Sequence, residues 1–374
     1  MKFNVQKTAL YNNLVAVSKV INSKNSIAIL SNIMFKTDGN ILSLTASDGE
    51  NTLNTEFLLI ENEGNEEFTV NGDNIVNAIA GIPEQPITFD VNKDENMLYV
   101  TYNNGRFSLP ITGTEDYPSP SEISDEKIIF TLTSETLLDN ITRTIFATGN
   151  DGLRPVMSGC LFDLQQYHIA IVASDGHKLV RNKIFGCGNN KPSSFILPNK
   201  PANLLKGLLP NNDMLVEITF DARNARITFG GKIVTCRLIE GRYPNYNSVI
   251  PMDNNNELVV DRKAFISALR RVQPFANGAS NLVRLSIHNN ILELYAEDYD
   301  FSRKASETMV CSYEGKQMSI GFKCSALIEI LSNIEGQSVV IKLSDPSRAG
   351  IIEPLEQPDE QEILMLIMPM IIGE

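Results

Sequence analysis

A chain of 374 residues exceeds what one ordinary hydrophobic core organises and points to two or three domains. With 43% apolar and 21% charged residues it has the composition of an ordinary globular protein, and a formal net charge of −13 argues against holding nucleic acid by overall charge. A basic inner surface can still coexist with an acidic outer one, because the average says nothing of distribution. Cys160, Cys187, Cys236, Cys311 and Cys324 are odd in number, widely spaced and without a C-x-x-C pair. They read as buried, reduced thiols rather than a disulfide framework or zinc site, and His168, His177 and His288 do not cluster with them. No metal is expected.

The start, MKFNVQKTAL, lacks the basic, apolar and small-residue segments of a signal peptide. The longest apolar run, Ile363 to Ile372, is ten residues and contains Pro369, against the roughly 20 residues a membrane-spanning helix needs. No membrane association is expected, and the cytoplasm is the expected compartment.

In chain order, a strand followed by a helix occurs three times: KFNVQKTALYNNL from Lys2, IFTLTSETLLDNI from Ile129 and ELVVDRKAFISAL from Glu257. Apolar residues first alternate and then recur at helical spacing. Phe3, Val5, Leu10 and Leu14 align with Phe130, Leu132, Leu137 and Ile141 at an offset of 127 residues. These align with Leu258, Val260, Phe265 and Leu269 at 128. A strand and sharp turn then recur: LTASDGE at 44–50, IVASDGHKL at 171–179 and LYAEDYD at 294–300. Only the second carries His177-Lys178-Leu179.

A further strand and helix follow in each third: FTVNGDNIVNAIAGI from Phe68, FILPNKPANLLKGLL from Phe195 and SIGFKCSALIEILSNI from Ser319. Ile75, Val76 and Ile79 match Leu327, Ile328 and Leu331 at an offset of 252 residues. Closing strands include Asn96 to Ile111, with a hairpin signal at Asn103-Asn104-Gly105, and Val216 to Ile239. Tyr117-Pro118 and Tyr243-Pro244 end the first two repeats, 126 residues apart.

The period is that of whole domains rather than of a solenoid. The expected domains are 1–126, 127–254 and 255–374, each α+β with two helices and antiparallel sheets. Six similar half-domain units in series suggest a curved array, and heterologous contacts between copies close such an array into a ring when the rotation is right. Nothing suggests catalysis: no G-x-x-x-x-G-K-[ST], H-E-x-x-H or G-x-S-x-G is present, and Asp175 beside His177 has no nucleophile or third group. No catalytic residue and no cofactor are expected.

The chain resembles the bacterial DNA polymerase III beta subunit, the DNA sliding clamp. The resemblance rests on KFNVQKTAL at the start, ASDGHKL at 173–179, EGRYPNY at 240–246, VRL at 283–285 and LIMPMI at 366–371. It implies three similar domains per chain and a head-to-tail homodimeric ring around duplex DNA, with helices lining the hole. It also implies a processivity factor that tethers the DNA polymerase III alpha subunit, the clamp loader, other polymerases, ligase and mismatch-repair proteins through short peptides.

Carried over by motif, the peptide pocket comprises Arg154, Met157, Ser174, Gly176, His177, Lys178, Leu179, Pro244, Val249, Leu366, Ile367, Met368, Pro369 and Met370. Leu179, Val249, Ile367 and Met368 are expected to accept an apolar side chain, and His177 and Arg154 to meet polar groups of the peptide. Expected DNA-facing residues are Lys24, Lys200, Lys206 and Arg143, with Lys7, Lys19, Arg262, Lys263, Arg270 and Arg271 as further candidates on predicted helices. At the ring seam Arg106, Phe107 and Leu109 should face Pro274 and Phe275. The chain departs from the family pattern at Pro155-Val156, where other members carry an aromatic pair, at Ser248, and at Ile371-Ile372, where a basic residue is common. The alternative class is a non-enzymatic peptide-binding scaffold that does not encircle DNA.

Overall fold

Among the described residues six α-helices each follow directly on a strand, as the recurring strand-then-helix pattern requires. The computed structural model describes residues 1–22, 27–150 and 152–372. The helices are α1 (Lys7–Ser18), α2 (Gly72–Ala80), α3 (Ser134–Ile145), α4 (Asn199–Lys206), α5 (Arg262–Val272) and α6 (Cys324–Ser332). Their aligned apolar positions are the ones that pack: Leu10, Leu14, Leu137, Ile141, Phe265 and Leu269 are all buried. So are Ile75, Ile79, Leu327 and Leu331 on the second helix of the outer repeats. Helix starts use different caps. Asn71 Oδ1 accepts from the N–H of Asn74 at 3.0 Å and Asp261 Oδ1 from that of Ala264 at 2.8 Å, each satisfying one of the donors a helix start leaves unpaired.

The chain packs as two compact units, residues 1–138 with 203–238, and residues 139–202 with 239–374. Both cut through the middle third of the sequence, and strand pairing explains why. In the first unit the strand Lys232–Arg237 pairs antiparallel with Asn51–Leu58, so strands of the middle repeat extend a thirteen-stranded sheet begun by the first. In the second, Lys178–Phe185 pairs with Gln361–Ile367 in a nine-stranded sheet, and a separate four-stranded sheet lies within 282–323. The expected hairpin at Asn103-Asn104 forms, with Tyr102 opposite Gly105.

The core of the first unit is built on stacked phenylalanines. The Phe3 and Phe89 ring centroids lie 4.9 Å apart and those of Phe35 and Phe68 5.2 Å apart, all four fully buried. In the second unit Phe162 and Phe195 stack at 4.7 Å. Of the strand positions aligned across repeats only Phe130 is left half-buried; it lies on Ile128–Thr133, an edge strand that among the described residues pairs only with Leu215–Phe220. Cys160, Cys236, Cys311 and Cys324 are buried and Cys187 partly so; all five thiols are free, and burial pushes Cys160 up to about 12. Among the described residues no helix is long and apolar enough to cross a membrane.

Truncating Phe89 to Ala removes a ring that touches both Phe3 and Phe35. It should lower the free energy of unfolding by about 3–5 kcal/mol, read from the urea midpoint, and a loss below about 1 kcal/mol would contradict this packing.

Candidate functional site

The turn at Asp175 is the same object as the turn at Asp48. In the first, Asp48 Oδ1 accepts from the N–H groups of Glu50 (3.0 Å) and Asn51 (2.7 Å), and Ser47 Oγ accepts from Gly49 (3.1 Å). In the second, Asp175 Oδ1 accepts from His177 and Lys178 (both 2.8 Å), and Ser174 Oγ from Gly176 (3.1 Å). Gly49 and Gly176 have φ of 96° and 89°, a left-handed conformation that only glycine adopts without strain. The third copy lacks the glycine and makes a longer turn, in which Asp298 Oδ1 accepts from Asp300 N–H at 3.1 Å and Arg303 closes on Oδ2 at 2.8 Å.

Strand pairing sets what lies beside the second turn. In the antiparallel register Lys178 stands opposite Ile367 and Leu179 opposite Leu366, and the N–H of Met368 donates to His177 O at 2.8 Å. The His-Lys-Leu and Met-Pro-Met segments, almost two hundred residues apart in sequence, are therefore neighbours in one unit. Leu179 and Leu366 belong to an apolar cluster with Val172, Tyr243, Tyr246, Ile250 and Ile351, against which Val156 packs. The two tyrosines anchor the 240–250 segment: Tyr246 OH donates to Asp163 Oδ2 at 2.7 Å, and burial pushes both phenols well above their ordinary value. Pro244, between them, is exposed.

The expected pocket residues thus divide into a floor and a rim. Met157, Leu179, Leu366 and Ile367 are buried. Val249 at 56% and Met368 at 43% exposure are the apolar groups a ligand can reach, with Pro369 and Met370 partly open. His177 is exposed beside them. Arg154 Nη2 donates to Asp175 O at 3.1 Å and lies so close over Gly176 that a Cβ there would come within 2.7 Å of the guanidinium.

Two polar residues of the set are structural. Ser174 Oγ donates to Lys178 O at 2.8 Å, and Lys178 Nζ sits 2.8 Å from Asp175 and 3.3 Å from Glu329 on α6. Burial disfavours both charges, but Lys178 and the turn's N–H groups outweigh it and hold the Asp175 carboxyl below its usual value; Asp175 and Glu329 likewise raise Lys178. Lys178 is committed to this triad rather than presented as a free cation.

Lys24 lies outside the described residues. Lys200 and Lys206 are exposed on α4, as are Lys263 and Arg270 on α5. Lys19 Nζ, also exposed, donates to Gly207 O at 2.8 Å, and Lys7 lies 4.6 Å from the Tyr11 ring centroid. Arg143 corrects its expectation. It is 4% exposed, Nη1 donates to Gln361 at 3.2 Å, and Nη2 lies 3.4 Å from both Asp139 and Glu335, so it is an internal cation. Arg262 caps the end of α6 through Gly336 O and Leu331 O, and Arg271 pairs with Glu307.

Of the seam residues, Arg106 is exposed and Phe107 and Leu109 are half-buried on the strand Gly105–Thr112; Pro274 and Phe275 are exposed in a short turn after α5. Sequence reasoning missed Glu329 and Gly321. A glycine inside an apolar strand, as in SIGFK, was the available signal for the second.

Family models described as the N-terminal, central and C-terminal domains of the DNA polymerase III beta subunit match residues 1–121, 131–245 and 247–371. The beta sliding clamp of Pseudomonas aeruginosa is 27% identical over 371 residues, 99% of this chain and 100% of that one. That of Escherichia coli (strain K12) is 28% identical over the same length, with the same coverage. Among solved structures, a sliding clamp from Pseudomonas aeruginosa bound to griselimycin superposes with a TM-score of 0.94 at 26% identity, covering 100% of both chains. With successive domain models spanning nearly all its length and full-length relatives agreeing in order and extent, this chain belongs to the DNA polymerase III beta subunit family, the beta sliding clamps.

Proposed function

We propose that two copies of this chain close head to tail into a ring around duplex DNA, and that the groove rimmed by His177, Val249 and Met368 holds short peptides carried by the proteins the ring tethers. These would include the DNA polymerase III alpha subunit, the clamp loader, other polymerases, ligase and mismatch-repair proteins. As a sliding clamp the protein is a processivity factor, and its work is topological rather than catalytic. The three repeats, 1–126, 127–254 and 255–374, would supply the six domains of the ring.

The observation that carries the reading is a pair of open strand edges. The strand Gly105–Thr112 pairs with Met97–Tyr102 on one side, but on the other it touches Glu67–Asn71 only through Ile111 and Thr112. The strand Arg303–Val310 pairs with Ile291–Asp298 alone among the described residues. Exposed edges template pairing with another chain, and two different edges joined between copies make a heterologous contact, which builds a closed ring when the rotation closes. Phe107 and Leu109 on the first edge, and the 38%-exposed Phe275 near the second, supply apolar surface for such a joint.

DNA contact on this account is weak by design. Lys200, Lys206, Lys263 and Arg270 offer exposed cations on helices, while the chain as a whole carries −13. Phosphate contacts of this kind carry no sequence information, and such sequence-independent attraction permits sliding.

The protein should scatter light at micromolar concentration as twice its 41.5 kDa, and Phe107→Asp should make it monomeric; a strictly monomeric native protein would contradict the ring. A Gln-x-x-Leu-Phe peptide should bind in the micromolar range. Combining His177→Ala with Met368→Ala should weaken it by at least about tenfold, roughly 1.4 kcal/mol. A titration unchanged by that double substitution would remove the groove from consideration.

A further inference from the structure

The rim of the groove is built by a tail that crosses from one sheet to another. The strand Gln361–Ile367 belongs to the nine-stranded sheet, and the chain leaves it at Met368, whose N–H is held by His177 O at 2.8 Å. Two residues later the N–H of Met370 donates to Gly321 O at 2.8 Å, on the strand Met318–Lys323 of the four-stranded sheet, forming an isolated antiparallel bridge. The tail is thereby pinned at both ends of a three-residue span that contains Pro369.

At the second pin the fit is tight. A Cβ on Gly321 would lie 2.8 Å from Met370 O, 2.8 Å from Leu282 Cδ1 and 3.0 Å from Ile372 Cγ1. Leu282 can give way by rotating, but the carbonyl oxygen is backbone and cannot yield without moving the tail. Gly321 is not among the residues with positive φ, so its conformation is open to any amino acid. Its bare backbone serves close approach, the other reason for glycine in a strand interior. With Ile372 turned to this seat, Ile371 is 96% exposed and Met368 is 43% exposed.

We infer that Gly321 is a positioning residue for peptide binding: it is the seat that sets the height of the Met368–Met370 strap over the groove, although it contacts no ligand itself. The inference rests on the groove reading given above. Any side chain at 321 lifts the strap, and a groove wall displaced by a fraction of an ångström to 1 Å loses the geometry that a bound side chain needs.

The test uses the full-length protein, a fluorescently labelled Gln-Ala-Ser-Leu-Phe peptide, and hydrogen exchange at the Met370 amide. Gly321→Val should still fold, with a thermal midpoint lowered by the displaced strap, while its Met370 amide exchanges faster and its peptide Kd rises by about tenfold or more. Gly321→Ala should fall between, and it decides the matter if the valine variant does not fold. Gly81→Ala, whose added methyl meets nothing within 4 Å, should bind as the native protein does. Native affinity in the Gly321 variants, or an undisturbed Met370 amide, would overturn the inference and leave the groove standing. Absence of peptide binding to the native protein would instead overturn the groove reading and this inference together.

Discussion

The antiparallel pairing of Lys178–Phe185 with Gln361–Ile367 is the constraint on which the site depends. It runs from Lys178 opposite Ile367 to Ile184 opposite Gln361, and a slip of one residue would turn every side chain to the opposite face. Register is specified by more than apolar burial. Arg181 and Lys183 both pair with Glu362, and the buried Asn182 donates to Thr144 Oγ1 at 3.0 Å on α3. Buried polar contacts of this kind are satisfied in one alignment only. From that alignment follow the meeting of His177 with Met368, the apolar floor around Leu179 and Leu366, and the exit of the tail toward Gly321.

The same turn chemistry serves two purposes in the chain. At Asp48 it closes a hairpin whose Glu50 carbonyl also accepts from the N–H of Arg237 at 3.0 Å. At Asp175 an identical hydrogen-bond set is extended by Lys178, which ties the turn to Glu329 on α6, and by His177, which holds the tail through its carbonyl. Repetition supplies the architecture, and the departure from repetition supplies the site. The departure from the family pattern at Ile371 leaves an aliphatic residue 96% exposed.

Local periodicity made the helices legible in the sequence: Leu10, Leu14, Phe265 and Leu269 were identifiable as core because spacing alone determines which face of a helix is apolar. The hairpin at Asn103-Asn104 and the Asp-Gly turns were legible for the same reason, since turn chemistry is local. What escaped was set by distant partners. Nothing near Arg143 announces that Gln361, 218 residues away, will meet it in a buried position. Nor could composition reveal that Leu179 and Ile367 would be buried while Val249 and Met368 stay exposed. The division into two packing units was hidden too, because it depends on which strand edges the repeats leave open to one another.

The claim that most needs testing is encirclement. Loaded onto a nicked circular DNA by an ATP-dependent clamp loader, the protein should remain bound through gel filtration and be released when the circle is linearised, because only a topological link distinguishes the two forms. Equal retention on circular and linear DNA, or rapid loss from both, would contradict the ring.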